Sequence, residues 1–275
     1  MLANHARKRL ATGEPSIGTW LSIASPEAAG LVARLGFDWL TVDAEHNPID
    51  ILTLARMFSA ISAWGTAPIV RIPWNTPENF KRVLDAGAWG VVVPMVNSRE
   101  EAEQAVEATR YHPHGNRSVG GSGGAMSFRA ESSEYYARAN DEILLVLQIE
   151  HEQGVENCEE ILSVPGVDAC FIGPNDLAAS MGRGLGTPLE SDDPPVVAAI
   201  DHILQTARNA GVAPGIHTSG VAGINMRIEQ GFQYLALASE SRYMVASLTE
   251  ALAAVNWTSS TRDTPGGAGG EVVRY

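Results

Sequence analysis

The sequence predicts a (β/α)8 barrel, an α/β fold in which eight parallel strands form a closed ring inside a layer of helices. Short aliphatic and β-branched runs, typical of strands buried on both faces, alternate eight times with amphipathic helical patterns. The chain has 275 residues, of which 45% are hydrophobic, so it can bury the core of one large domain. Eight regular units favour a barrel over a doubly wound open sheet, and no G-x-G-x-x-G follows the first predicted strand.

The individual elements follow from the same two patterns. Apolar runs predict strands at Ile17–Ser22, Trp39–Asp43, Pro68–Ile72, Gly90–Pro94, Leu144–Ile149, Asp168–Ile172, Ala213–Ile216 and Tyr234–Leu237. Helical spacing predicts helices at Pro26–Leu35, Ile49–Ala63, Pro77–Ala86, Arg99–Thr109, Gln153–Leu162, Pro195–Ala210, Val221–Gln230 and Ser241–Val255. Glycines such as Gly36 and Gly211 follow several of these helices, where a left-handed backbone ends the helix. We expect residues 1–257 to form one barrel domain.

Three segments do not fit the alternation. Tyr111–Glu142 is a long excursion that contains a glycine cluster, Gly120–Gly124, and a predicted short helix at Ser132–Ala139. Loops of this length are usually functional or disordered, so we expect part of the excursion to return over the carboxyl ends of the strands. The glycine-rich tail, residues 258–275, is expected to be unstructured, and the amino terminus around Lys8 is expected to be frayed.

Composition excludes several classes of protein. The formal net charge of −13 and the pI near 4.9 argue against binding to nucleic acid or to an anionic membrane surface. No stretch approaches the roughly twenty apolar residues of a membrane span, and no apolar run follows the basic start as in a secretory signal. The two cysteines, Cys158 and Cys170, are typical of thiols in a reducing compartment, so we expect a cytoplasmic protein.

Two predicted strands lead into carboxylates. LLVLQIE ends at Glu150, and FIGPND ends at Asp176, with about twenty-five residues between the two acids. A strand–helix–strand unit of that length places two parallel strands side by side with their carboxyl ends at one edge. Glu150 and Asp176 should therefore converge, and two carboxylates held together in a cleft favour a cation between them.

Other strand ends supply further polar groups. The second strand ends in Asp43, with Glu45 and His46 after it, and the third carries Arg71. The acids are equally typical of helix N-cap and first-turn positions, and a single histidine is more often a surface or core residue than a catalytic one. Arg71 differs, because a guanidinium within an apolar run requires either a structural ion pair or a substrate anion.

A divalent ion on two carboxylates keeps coordination positions for water and substrate. That arrangement suits Mg²⁺ or Mn²⁺, whereas zinc is disfavoured because no Cys–His cluster has the required spacing. An ion, an arginine and a histidine around an open position would stabilise an oxyanion such as an enolate.

Six stretches together resemble one family. They are LVARLGFDWLTVDAEH, PIVRIPW, LDAGAWGVVVPMV, ATRYHPHGNRSVG, VLQIE and GVDACFIGPNDLAASMG, and the similarity runs from about Gly18 to about Ala254. In this order they resemble the HpcH/HpaI-type metal-dependent aldolases, class II pyruvate aldolases that act on 2-keto-3-deoxy acids and hydroxy-ketodioates. The resemblance implies a homohexamer, a dimer of trimers, that binds Mg²⁺, Mn²⁺ or Co²⁺.

The resemblance also implies roles for individual residues. Glu150 and Asp176 would hold the cation, and pyruvate would chelate it, held by Gln148 and by the backbone at Asn175 and Asp176. Arg71 matches the residue that stabilises the enolate. In the same way His46 matches the acid–base residue. Asp43 and Asp85 match acids that orient this histidine, with Asp85 contributed by a neighbouring subunit.

The predicted activity is therefore carbon–carbon lyase chemistry, in which a 4-hydroxy-2-oxo acid is cleaved reversibly to pyruvate and an aldehyde. A Schiff-base aldolase needs a strand-end lysine, and Lys8 and Lys81, the only lysines, do not end buried strands. The nearest alternative is an oxaloacetate decarboxylase or a macrophomate synthase-like enzyme, which would use the same enolate. A citrate-lyase-like enzyme is less favoured because no basic cluster is present for a nucleotide, and a scaffold barrel would be expected to lack one of the site residues.

Overall fold

In the computed structural model, which describes residues 1–256, eight parallel strands form a closed barrel in sequence order. The strands are β1 (Ser16–Leu21), β2 (Trp39–Asp43), β3 (Ala67–Arg71), β4 (Gly90–Val93), β5 (Leu144–Ile149), β6 (Ala169–Ile172), β7 (Gly215–Thr218) and β8 (Tyr234–Ser239). The predicted fold class is confirmed. No helix in residues 1–256 combines the length and the apolar character that crossing a membrane requires.

Helices connect the strands and surround the barrel. In chain order they are α1 (His5–Ala11), α2 (Pro26–Ala33), α3 (Ile51–Ser62), α4 (Pro77–Asp85), α5 (Arg99–Thr109), α6 (Gly123–Ser127), α7 (Ser132–Glu142), α8 (Glu152–Glu156), α9 (Cys158–Leu162), α10 (Pro174–Ser180), α11 (Pro194–Ala210), α12 (Val221–Gln230) and α13 (Glu240–Ala253). Six of them begin at a side chain that caps free N–H groups. Ser98, for example, forms a complete capping box with Glu101 at the start of α5.

The barrel interior is filled by side chains rather than open. β5 is buried along its whole length, as expected of a strand covered on both faces. Trp39 stacks on Tyr234 with ring centroids 4.2 Å apart. Gly18 is required beside this pair, because a Cβ atom there would overlap the Trp39 ring.

Lys8 lies within helix α1, so the prediction that the amino terminus around Lys8 is frayed is wrong. Asn4 is fully buried, caps α1 by accepting from Arg7 N, and donates from Nδ2 to the carbonyl oxygens of Trp89 and Glu142. Leu10 packs into the core. Helix α1 therefore covers the amino-terminal end of the barrel.

The long excursion also packs at the amino-terminal end, so the expectation that part of it covers the carboxyl ends of the strands is wrong. Phe128 stacks on Trp89, the residue before β4, with centroids 4.4 Å apart. Ser127 Oγ accepts from Trp89 Nε1 at 2.8 Å. The predicted helix Ser132–Ala139 is longer in the structure. As α7 it extends to Glu142, just before β5 begins at Leu144.

The predicted helix Gln153–Leu162 is divided at Asn157 into α8 and α9. Asn157 Nδ2 donates to the carbonyl oxygen of Asn97 at 2.8 Å, which ties the break to the loop after β4. The predicted unstructured tail, residues 258–275, and the predicted domain end at residue 257 lie outside the described residues.

Candidate active site

A pocket of about 520 Å³ opens at the carboxyl ends of the strands. Functional groups collect at this end of such barrels because the strand ends and the loops after them converge there. Six predicted site residues line it, namely Asp43, His46, Arg71, Gln148, Asn175 and Asp176. Glu150 lies next to the pocket, in contact with Gln148.

Arg71 lines the pocket and is paired with two acidic side chains. The register of β2 and β3 pairs Asp43 with Arg71, whose Nε and Nη2 lie 2.9 and 2.8 Å from the two Asp43 carboxylate oxygens. Nε also lies 3.0 Å from Glu45 Oε2, and the guanidinium stacks 4.5 Å from the centre of the Trp20 ring. Burial opposes the charge, but the hydrogen bond and charge of Asp43 outweigh it and raise the pKa of Arg71. The guanidinium is therefore a fixed cation.

Glu150 is buried without a full charge partner. Burial, reinforced by the negative charge of Asp176, raises its pKa to about 7. Its Oε1 accepts from Met95 N at 3.0 Å, and Met95 adopts a left-handed backbone with φ of 53°. Such a conformation is costly for a residue other than glycine, and it directs this N–H at the carboxylate.

These groups fit a divalent cation. Glu150 and Asp176 are oxygen donors with mutually repelling charges, and Gln148 Oε1 is buried with no hydrogen-bond partner in the described chain. A Cβ on Gly173 would lie 2.6 Å from Glu150 Oε2, so only glycine lets the backbone between β6 and α10 pass this close. Within residues 1–256 no three His, Cys, Asp or Glu side chains form a metal-binding group, so water and substrate would have to complete the coordination of an ion held by Glu150 and Asp176.

His46 lies at the pocket entrance with its side chain 63% exposed. Its Nε2 is 3.7 Å from Glu45 Oε2, whereas Asp43 contacts only its backbone, with Oδ1 3.5 Å from His46 N. The other Asp43 oxygen accepts from Asn47 Nδ2 at 2.8 Å. Asp43 thus holds Arg71 and the loop that carries His46, rather than the imidazole ring itself.

Asp85 is remote from the other predicted residues. It ends α4, which runs back from the carboxyl end of β3, so it lies at the amino-terminal end of the barrel. There it accepts from Arg117 Nη2 at 3.0 Å, and Arg117 in turn stacks over Tyr111 at 4.5 Å. A single chain therefore does not bring Asp85 to His46.

From the sequence, the segment around His217 is expected to line the aldehyde's side of the pocket, but no residue on that side was assigned a role. Trp20, His217, Ser239 and Ser241 line it from β1, β7 and the junction of β8 with α13. Burial, with the charges of Arg71 and Arg242, lowers the pKa of His217 to about 4, so this imidazole is neutral at neutral pH. The sequence carries the same signal here as at the other strands, a polar side chain at the carboxyl end, because His217 directly follows the predicted strand Ala213–Ile216.

Comparison with known proteins identifies the family. The model of the HpcH/HpaI aldolase/citrate lyase family matches residues 16–246. The chain is 38% identical over 265 residues to a 4-hydroxy-2-oxo-heptane-1,7-dioate aldolase of Shigella sonnei, covering 96% of this chain and 99% of the relative. It is 41% identical over 251 residues to the enzyme of that name from Klebsiella pneumoniae, with 91% and 93% covered.

Solved structures agree with this result. A HpcH/HpaI aldolase/citrate lyase family protein from Burkholderia cenocepacia superposes with a TM-score of 0.83 at 34% identity, covering 91% of this chain and 98% of that one. Macrophomate synthase superposes with a TM-score of 0.79 at 27% identity, covering 91% and 89%. The resemblance found in the sequence and the prediction of an aldolase-type lyase are confirmed. The chain belongs to the HpcH/HpaI aldolase/citrate lyase family.

Proposed function

We propose that this aldolase reversibly cleaves a 4-hydroxy-2-oxo acid to pyruvate and an aldehyde. The observation that carries the proposal is the buried Glu150, whose pKa is raised to about 7 beside Asp176 and near the fixed cation of Arg71. The raised pKa shows that burial and Asp176 both oppose the charge of Glu150, and a cation bound between the two carboxylates would relieve this opposition and, with Arg71, stabilise negative charge on a keto acid. Relatives at 38 to 41% identity are named as aldolases of one such acid.

The cleavage step transfers one proton and breaks one carbon–carbon bond. A base removes the proton of the C4 hydroxyl, whose oxygen forms the aldehyde carbonyl as the C3–C4 bond breaks. The electrons of that bond form the C2=C3 double bond and the C2 carbonyl electrons move to oxygen, which leaves the enolate of pyruvate. Arg71 stabilises the enolate oxygen, because its guanidinium is already held by Asp43 and needs no rearrangement. Protonation of the enolate carbon then gives pyruvate.

Glu150 and Asp176 hold the cation, for which Mg²⁺, Mn²⁺ and Co²⁺ are the candidates. When bound, the ion supplies electrophilic stabilisation of negative charge on the keto acid. Gln148 orients the acid, which is supported by its buried and unpaired Oε1. The backbone at Asn175 and Asp176, in the first turn of α10, offers N–H donors to the same ligand.

His46 is the proposed acid–base residue, acting through water at the pocket entrance. Its exposure gives it access to solvent protons, and Asp43 fixes the loop on which it stands. Asp85 reaches a neighbouring subunit's His46 in a homohexamer. The exposed, apolar surface of α13 supports an assembly of this kind. The proposed location is the cytoplasm, supported by two buried cysteines that form no disulfide.

Oxaloacetate decarboxylation is a second candidate, favoured by the similarity to macrophomate synthase. Loss of CO₂ from oxaloacetate leaves the same pyruvate enolate, so Arg71 and the cation site serve both reactions. Only the departing fragment differs.

The test is exchange of the pyruvate methyl protons with D₂O, followed by NMR on EDTA-treated enzyme before and after addition of Mn²⁺ or Mg²⁺. We expect exchange only with metal, because the enolate forms only when its charge is stabilised. Exchange without metal would contradict the cation's role. Absence of exchange under every condition would reject reversible enolate formation and the proposed aldol reaction with it.

A further inference from the structure

The β7 wall of the active-site pocket carries an imidazole that the proposed reaction has not used, that of His217. Strand register pairs the last residues of β5 and β6 with the residue before His217. Glu150, Gly173 and His217 therefore follow at one level of the barrel, on three neighbouring strands. Because Gly173 has no side chain, the Glu150 carboxylate lies over it, with Oε2 only 2.6 Å from where a Cβ would be. This carboxylate thus extends toward the strand that carries His217.

The His217 ring is held by packing and not by polar contacts. It meets the rings of Trp20 and Phe171 edge-on, with centroids 6.0 and 6.4 Å apart and interplanar angles of 76° and 74°. Neither ring nitrogen has a hydrogen-bond partner or an ion pair within residues 1–256. A neutral imidazole has one N–H donor and one acceptor nitrogen, so both are open to a ligand in the pocket.

His217 shares the pocket with the groups assigned to the keto acid. Trp20 contacts both His217 and Arg71, whose Cζ lies 4.5 Å from the centre of a Trp20 ring. Burial, followed by the charge of Arg71, lowers the pKa of His217 to about 4, so the imidazole is neutral at neutral pH. Such an imidazole is a weak base, but its N–H remains a hydrogen-bond donor.

We propose that His217 donates a hydrogen bond to the C4 oxygen of the substrate, the oxygen that becomes the aldehyde carbonyl. This role rests on the proposed aldol reaction and adds to it a residue that acts on the partner of pyruvate. C4 is two bonds from C2, so a keto acid bound at Glu150 and Asp176 brings its C4 oxygen toward the β7 wall. His217 keeps its proton throughout, and its N–H stabilises the negative charge on this oxygen as the C3–C4 bond breaks or forms.

A fixed C4 oxygen also determines which face of the aldehyde meets the enolate. In the direction of aldol addition, wild type should therefore give mainly one configuration at the new alcohol carbon. Loss of the donor should leave both faces open to attack, and a purely structural role of His217 would not produce that change.

The test compares two reactions that pass through the same enolate. Cleavage of 4-hydroxy-2-oxohexanoate, the adduct of pyruvate and propanal, involves a C4 oxygen, whereas exchange of the pyruvate methyl protons with D₂O does not. His217→Phe keeps an aromatic ring against Trp20 and Phe171 but removes the N–H. We expect this variant to lower kcat for cleavage about 100-fold, to leave proton exchange near the wild-type rate and to give a mixture of configurations in the adduct.

Two further variants check the origin of the effect. His217→Gln restores a neutral N–H donor, so it should recover part of the cleavage rate and part of the selectivity. His202→Phe makes the same aromatic substitution at an exposed position of α11 and should match wild type in all three measurements. His217→Leu, which also lacks the donor, repeats the comparison if His217→Phe does not fold.

Failure of this inference is distinguishable from failure of the proposed function. Wild-type enzyme that exchanges pyruvate protons, together with a His217→Phe variant that cleaves and selects as wild type does, would overturn the role of His217 alone. An equal fall of cleavage and exchange in His217→Phe, without recovery in His217→Gln, would overturn it as well. Wild-type enzyme without any proton exchange would overturn the aldol reaction and this inference together.

Discussion

At the scale of single residues, the site is organised around Arg71. Asp43, Glu45 and Glu150 all contribute negative charge to its surroundings, and Trp20 covers its face. The sequence predicts that a guanidinium in an apolar strand needs an anionic partner. That partner is Asp43, because the register of β2 and β3 places it beside Arg71. The direction of the His46 side chain was not predictable, because an exposed loop residue is fixed by local contacts rather than by pattern.

Substitution of this residue should remove most turnover. Arg71→Ala is expected to lower kcat about 100- to 1000-fold, because the enolate oxygen loses a preorganised donor. Pyruvate formation from a 4-hydroxy-2-oxo acid measures the effect, and circular dichroism checks that the barrel is intact.

Arg71→Lys provides a second variant. It keeps a positive charge beside Asp43, so the fold should tolerate it better than Arg71→Ala. It should also lose turnover, because an ammonium cannot reproduce the two-pronged bond to the carboxylate. Turnover near the wild-type value in either folded variant would show that the enolate role assigned to Arg71 is wrong.

At the scale of elements, α13 differs from the other barrel helices. None of its residues is buried, and its largest contacts are with β1 and β8. Tyr243, Met244, Val245, Leu248 and Leu252 are all exposed. An apolar surface of this size on one helix is typical of an interface.

Loss of this surface should change the assembly. Leu248 is 63% exposed, so Leu248→Glu costs a single chain little stability but would bury a charge in an interface. We expect the variant to sediment as a smaller species than wild type. Leu185→Glu, at a 93% exposed loop position, is the matched control and should sediment as wild type. Identical sedimentation of all three proteins would remove the support that α13 gives to a hexamer.

Element predictions succeeded where burial determines the pattern. β2, β5, α5 and α12 have the predicted bounds, and the other predicted strands differ by at most two residues at either end. The missed helices α1, α6 and α10 are short, with seven, five and seven residues, so they show little periodicity. Helix α1 is held by Asn4 and by burial of Leu10 against distant parts of the chain, information that a local pattern does not contain.

At the scale of the whole molecule, stability and chemistry occupy opposite ends of the barrel. At the amino-terminal end Asp168 binds both Arg7 and Arg110, at 2.7 and 2.8 Å, and accepts from Leu145 N. The fold and the convergence of strand-end residues were predictable because both follow from parallel-strand topology. The role of Asp85 was not, since it is argued from an assembly of several chains.

Whole-molecule stability should depend on pH through Glu150. Its pKa rises from 4.5 to about 7 on folding in the ion-free protein, so the folded state holds the proton more tightly than the unfolded chain. The resulting stabilisation is present below pH 4.5 and is lost as pH rises to 7. The free energy of unfolding should fall by about 3 kcal/mol across that interval from this group.

Urea unfolding of EDTA-treated protein between pH 4.5 and 8 measures this slope. Glu150→Gln should show a correspondingly shallower slope, because every other titrating group is retained. Mn²⁺ should stabilise wild type more at pH 8 than at pH 5, since the ion competes with the proton. Equal slopes in the two proteins would show that Glu150 does not titrate as expected.

The two sides of the pocket come from different strands, with β2, β3, β5 and β6 on one side and β7 and β8 on the other. Under the roles proposed above, the first group activates pyruvate, and the second faces the part of the substrate that does not bind the cation. Substitutions in the second group can therefore change which aldehyde is accepted while the residues that form the enolate stay in place. For directed evolution, a small library at Ser239 and Ser241, which line that side of the pocket, is the place to search for new carbon–carbon bond-forming catalysts.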